Sequence, residues 1–328
     1  MTSTNHGDGS ATRPIRLLMV LTENDTIIDP RDPSALVDVA ITAEACGIDG
    51  VMLSEHILLG PDAGAAGEML NPRDYAAPGN QPPSTAWPNS IVLLSAIAQA
   101  TSTLRLVAGA IIAPLRHPLL LAKELGTLDL LSRGRLIVLP TVSWSRDEYA
   151  ALGVPFSERG KILDEQLDVL SKCWGPYPLS HQGHYFSFDD VWLEPGAYTP
   201  SGPTLWFGGQ GMAAPQIRRI ARYGSGLNPF GPLTDEDLAN LAAGLRDVGR
   251  DLSEIEMVGG IRGTFHSADD VADLETALAD LPRQLAQGFT TICFKPAMFV
   301  RSADEVADLC RTLVSRVAEI ASAARDHL

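Results

Sequence analysis

Apolar residues along this chain follow two alternating rhythms almost end to end. Short apolar runs at 15–21, 50–53, 104–112, 135–139, 204–207, 226–228, 255–261 and 290–294 have the length of buried strands. Between them, apolar residues recur at helical spacing over 34–46, 91–101, 118–131, 156–174, 213–223, 235–248, 268–287 and 302–324. The punctuation agrees. Pro33 precedes the first helix and Gly47 follows it, and Ser157 opens 156–174 with acidic residues in its first turns. Eight strand-then-helix units predict an α/β protein built as a (β/α)8 TIM barrel, a single domain over 14–328. An open doubly wound sheet is the rival, but it ordinarily has fewer units or a second domain.

Two stretches break the rhythm. Residues 57–89 follow the second strand and are rich in Pro and Gly. A loop of that length at a strand's carboxyl end predicts a lid over an active site. Residues 179–203 carry the alternating aromatics Tyr185, Phe186 and Phe188, which predict a hairpin inserted before the fifth strand. The polar residues 1–13 lack the apolar segment of a signal peptide and predict a disordered lead-in.

Composition narrows the partners. Of 328 residues, 45% are hydrophobic, enough for a large core, and the formal net charge is −15. An acidic surface without a basic cluster excludes nucleic acid and anionic membranes as partners. No apolar run reaches the ~18 residues of a membrane span. The cysteines, Cys46, Cys173, Cys293 and Cys310, are scattered and form no C-x-x-C pair, so buried thiols in a reducing cytoplasm are expected.

Candidate chemistry collects where strands end. Glu55-His56 closes the second strand; His is the side chain suited to proton transfer near neutral pH, and a surface loop His is the plain alternative. Ala110-Ile111 closes the third, where small residues let backbone approach a flat ligand, although tight packing explains them equally. After the fourth strand comes a polar loop with Thr141, Ser143, Trp144 and Glu148; Trp144 could wall an aromatic ligand or pack onto the rim. Gly208-Gly209-Gln210-Gly211 ends the fifth strand and opens a helix, a place where free N–H groups bind phosphate. Lys295 follows the eighth strand and could meet a lid carboxylate or an acidic ligand group. His181 and His184 lack a partner set for a metal, so no metal site is expected.

In combination, AEACGIDGVMLSEH, AIAQATSTLRLVAGAIIAPLRHP, KELGTLDLLSRGRL, ALGVPFSERGKILDEQLDVL, GHYFSFDDVWLEPG and PTLWFGGQG resemble the luciferase-like family of flavin- and deazaflavin-dependent oxidoreductases, over roughly residues 15–229. The resemblance implies a barrel holding a non-covalent ring cofactor at its mouth, either FMN or the 8-hydroxy-5-deazaflavin coenzyme F-420. It maps a substrate- or ring-contacting His onto His56, a non-proline cis peptide near Ala110–Ile111, and the cofactor phosphate onto Gly208, Gly209 and Gln210. Relatives of the luciferase type carry a phosphate-binding Arg near Val142; this chain has Pro140-Thr141-Val142-Ser143-Trp144 instead, which weighs against a strict FMN reading. The expectation is a deazaflavin-dependent oxidoreductase transferring hydride to or from a small organic substrate. Alternatives are an FMN-dependent monooxygenase using reduced flavin and O2, or a non-catalytic flavin-binding subunit. A homodimer, with a separate cofactor reductase as a second partner, follows from the same resemblance.

Overall fold

A computed structural model describes residues 14–326; the expected lead-in over 1–13 lies outside the described residues. In chain order the elements are β1 (Arg16–Val20), α1 (Pro33–Ala45), β2 (Gly50–Leu53), α2 (Ser90–Ala100), β3 (Arg105–Ile112), α3 (Pro118–Ser132), β4 (Leu136–Thr141) and α4 (Arg146–Ala151). They continue with α5 (Arg159–Lys172), β5 (Leu179–Gln182), β6 (Ser187–Val191), β7 (Thr204–Gly209), α6 (Ala214–Tyr223), β8 (Gly226–Pro229) and α7 (Asp235–Arg246). The chain finishes with β9 (Glu256–Gly260), α8 (Leu274–Leu278), α9 (Leu281–Ala286), β10 (Phe289–Phe294) and α10 (Val306–Asp326).

Eight strands close into a barrel in the order β1-β10-β9-β8-β7-β4-β3-β2, each pair parallel. All their carboxyl ends therefore open on one face. The expected hairpin is present as the antiparallel pair β5–β6. Strand alternation sorts the apolar residues into two layers. Leu18, Val20, Val107, Ile137, Leu139, Trp206, Val258 and Cys293 fill the interior. Leu17, Met19, Leu106, Ile111, Ile292 and Phe294 pack outward against the helices. At the amino-terminal floor, Arg105 grips Glu256 through bonds of 2.7 and 2.8 Å and lies over the Trp206 ring.

Three expectations need correction. Residues 146–151, read as loop, form helix α4, because Ser145 caps it by accepting from the Glu148 N–H at 3.4 Å and Asp147 and Glu148 sit in its first turn. Ser157 does not cap 156–174; a 3-10 turn, Phe156–Glu158, precedes α5. The helix expected over 268–287 is two short helices. Pro282 in the first turn of α9 has no N–H to give, and its ring would clash with the carbonyl of Leu278. Asp273 starts α8 late by accepting from the Thr276 N–H at 2.7 Å.

Candidate active site

His56 lies just past β2, buried against its neighbours. Its Nδ1 is 3.0 Å from Glu148 Oε2, on the first turn of α4. Glu148 is fully buried. Its Oε1 accepts from the Ile57 N–H at 2.7 Å, and its Oε2 also accepts from the Ser143 hydroxyl at 3.3 Å. A carboxylate surrounded by donors leaves the shared proton on His56 Nδ1. The other ring nitrogen, Nε2, makes no hydrogen bond with the described residues. Trp87 and Trp144 stand edge-on to the imidazole, at ring-centre distances of 5.0 and 5.4 Å. The result is a proton-handling dyad between aromatic walls: Nε2 can take a proton, and the imidazolium that forms is stabilised by Glu148.

Glu55, next to His56, is in a different environment. Both of its oxygens are bonded to Arg116, at 2.7 and 2.9 Å, and Oε1 also accepts from the Ile112 N–H at 2.8 Å. Ser90 donates to Oε2 at 3.2 Å. With every acceptor engaged, this carboxylate ties β2, β3 and α2 together and has none left for a substrate.

The third strand carries a cis peptide at Gly109–Ala110, one bond before the expected position. The β3–β4 register slips between Gly109 and Ile111. Ala110 consequently packs with the barrel interior, whereas Ile111 is fully buried in the outer layer. That slip removes the Ile111 side chain from the mouth. Thr141 ends β4, and Ser143 adopts φ 57° to turn its hydroxyl onto Glu148.

The glycine turn leads into α6, whose N-cap, Ala213, offers no side-chain acceptor. The N–H groups of Gln210 and Gly211 have no acceptor among the described residues, while Met212 N–H is taken by Asp237 at 3.0 Å. Gln216 Nε2, in the same first turn, is buried with no hydrogen-bond partner. Gly209 has φ 142°, and a Cβ there would come within 3.1 Å of that amide. Gly208 is required for a different reason: a Cβ would lie 2.3 Å from the Asn228 carbonyl oxygen on the neighbouring strand. Free amides plus an orphaned buried amide at a helix N-terminus fit a phosphate group.

Lys295 is fully buried beyond β10. It donates to the Asp74 carbonyl oxygen at 2.7 Å, so it meets the 57–89 segment through backbone and not through a carboxylate. Burial lowers its pKa, with Glu23, Asp74 and Asp25 pulling the other way. Arg262, after β9, bonds the Asp74 carboxylate at 3.0 and 3.1 Å beside a cleft of about 370 Å³ that Leu70 and Phe265 also line. Below these groups the interior is closed: Asn228 Nδ2 lies 3.5 Å from Met52 Sδ, linking β8 to β2, opposite strands of the ring.

Reading the residues in order missed Glu148 as a partner of His56, Trp87 as a wall and Arg116 as the anchor of Glu55. Nothing local signals that Glu148 turns toward a residue 92 positions earlier.

A profile of the family described as luciferase-like monooxygenase matches residues 15–308. The chain belongs to the luciferase-like monooxygenase family. An FMNH(2)-dependent dimethylsulfone monooxygenase of Pseudomonas putida is 30% identical over 128 residues, 38% of this chain and 35% of that protein. An F420-dependent glucose-6-phosphate dehydrogenase of Nakamurella multipartita is 26% identical over 266 residues, 77% of this chain and 71% of that protein. Several curated relatives at 30–36% identity are matched over only 31–40% of their own length. Among solved structures, an F420-dependent secondary alcohol dehydrogenase in complex with an F420-acetone adduct superposes with TM-score 0.69 at 16% identity, covering 92% of this chain and 98% of that one. Among the described residues no helix is long and apolar enough to cross a membrane.

Proposed function

We propose that this luciferase-like chain is an oxidoreductase that holds the deazaflavin coenzyme F-420 non-covalently across the barrel mouth and acts on a small organic substrate. The observation that carries the reading is the His56–Glu148 pair with its open Nε2, set among Trp87 and Trp144 at the carboxyl end of the barrel. The F420-dependent relative, matched over most of its length, supports the same cofactor. When bound, the coenzyme supplies hydride donor or acceptor chemistry. The chain's own residues do the rest. Gln210, Gly211 and Gln216 hold a phosphate, and Ala110 leaves room for a flat ring against β3. His56 Nε2 accepts or returns the substrate's hydroxyl proton, and Glu148 steadies the charge that this places on the imidazole. Residues 57–89, which bring Trp87 and Tyr75 over the mouth, serve as a lid that excludes water.

The dimethylsulfone relative and the family's own description favour a second reading, an FMN-dependent monooxygenase. Fluorescence titration of the purified chain with F-420 and with FMN separates the two. Tighter binding of F-420 is expected; binding of FMN alone refutes the deazaflavin reading. A homodimer and a separate cofactor reductase belong to the same proposal, and sedimentation tests the first of these.

A further inference from the structure

Tyr75 is the one residue of the 57–89 segment packed against the barrel-interior cluster, where it joins Met52 and Ala110 around the mouth. Its backbone is gripped on both sides by charged residues of the barrel rim. On one side, Lys295 Nζ donates to the Asp74 carbonyl oxygen at 2.7 Å. On the other, the Ala76 N–H donates to Glu23 Oε1 at 2.8 Å, with Glu23 held at φ 61° just beyond β1. The Asp74 carboxylate adds two more ties, accepting from the Tyr75 N–H at 2.8 Å and from Arg262. Lys295 Nζ also lies 5.3 Å from the centre of the Tyr75 ring. Placing two charged side chains in a poorly hydrated rim is costly, and both show it: burial raises the Glu23 pKa and lowers that of Lys295, each opposed by the other's charge. All this polar machinery fixes one aromatic side chain. The Tyr75 hydroxyl makes no hydrogen bond with the described residues, and the side chain is only half-buried, so that donor is open to a ligand at the mouth. Burial pushes its phenol far above the ordinary range, so it remains a protonated donor.

The arrangement around the mouth says what that donor meets. Tyr75 is clamped to the ends of β1 and β10, Ala110 lies on β3, and His56 at the end of β2 stands between them. We propose that Tyr75 is a binding residue for the redox ring, covering only the carbonyl-bearing end of the face turned away from the β3 bulge, so that the reactive centre stays open to substrate beside His56, and donating a hydrogen bond from its hydroxyl to a ring carbonyl oxygen, with Glu23 and Lys295 as its positioning residues. This rests on the functional reading above, because it takes the ring to lie at the mouth.

The test uses the full chain, with F-420 and FMN as probes and two readouts: the dissociation constant and the visible absorption band of the bound ring. Tyr75→Phe keeps the covering ring and loses only the donor; it is expected to weaken binding about 5-fold, the effect of one net hydrogen bond, and to shift the band. Tyr75→Ala removes the stacking surface as well and weakens binding about a further 10-fold. Glu23→Ala reproduces the band shift of Tyr75→Phe, and Glu23→Gln restores the wild-type band, since glutamine keeps an oxygen for the Ala76 N–H. Lys295→Met acts as Glu23→Ala does; if it fails to fold, the Glu23 pair decides. Wild-type protein that binds neither probe overturns the functional reading and this proposal together. Wild-type binding with an unchanged Tyr75→Phe constant and band overturns this proposal alone. Tighter binding by Tyr75→Ala does so too, by making the side chain a plug.

Discussion

Exchanging one oxygen of Glu148 for an NH2 group should reverse the polarity of the candidate active site with almost no change of shape. In Glu148→Gln the amide oxygen stays with the Ile57 and Leu58 N–H groups, now bonded at 2.7 and 3.4 Å, because two backbone donors must be satisfied there. The NH2 then faces His56 Nδ1. An Nδ1–H opposite an NH2 has no acceptor, so the imidazole shifts its proton to Nε2 and takes a hydrogen bond at Nδ1. The open face of His56 changes from acceptor to donor. A general base contributes roughly 10²–10⁴-fold to rate, so turnover should fall by at least about 10²-fold while cofactor affinity holds. Replacing charge-assisted bonds with neutral ones costs about 1–2 kcal/mol, a drop of about 2 °C in Tm for a chain of this length. The decisive assay needs no substrate. In ¹⁵N-histidine-labelled protein, His56 should show the Nδ1–H tautomer in the wild type and the Nε2–H tautomer in Glu148→Gln, with His56→Asn assigning its signals. Nε2–H in the wild type, or turnover by Glu148→Gln within about 3-fold of the wild type, refutes the dyad.

Arg116→Met leaves the Glu55 carboxylate buried without its guanidinium; breaking such a pair costs about 3–5 kcal/mol, so Tm should fall by about 6 °C, and a drop under about 2 °C would show that Glu55 is not held as described. Gly209→Ala pushes on the Gln216 amide at the phosphate position, so affinity for FMN should fall about 10-fold while affinity for riboflavin, which lacks the phosphate, is unchanged; equal losses would remove the turn from phosphate binding. Burial alone would raise Glu256, but bonds and charge from Arg105, the Thr291 hydroxyl and Arg16 outweigh it and hold the carboxyl below its ordinary value. Its stabilisation is therefore present above the ordinary carboxylate range and lost as pH falls through the lowered value. Glu256→Gln should accordingly melt below the wild type at pH 7, the gap closing in acid; a gap independent of pH would assign the loss to packing.

The local pattern of residues was sufficient for the barrel, since strand and helix periods depend only on near neighbours and eight parallel units leave few other closures. It also placed the candidate residues at one end, because in a parallel barrel every strand delivers its last residues to the same face. His56 and the glycine turn were legible for that reason. The helix over 268–287 was misread because a periodic pattern outweighed Pro282, whose missing N–H ends a helix however well its neighbours fit.

What each side chain does there was settled only by the closed structure. Glu55 and His56 are adjacent in sequence, yet one is consumed by Arg116 and the other is left open by Glu148. Ala110 and Ile111 are likewise adjacent; strand alternation sends them to opposite layers, and a one-residue slip in pairing decides that Ala110 is the one facing inward. The sequence by itself determined the architecture and the end of it at which the candidate residues gather. Tertiary structure decided which polar atoms remain unpaired at that end, because a hydrogen-bond partner is chosen by distance in space, and closing a barrel brings together residues that no local spacing connects.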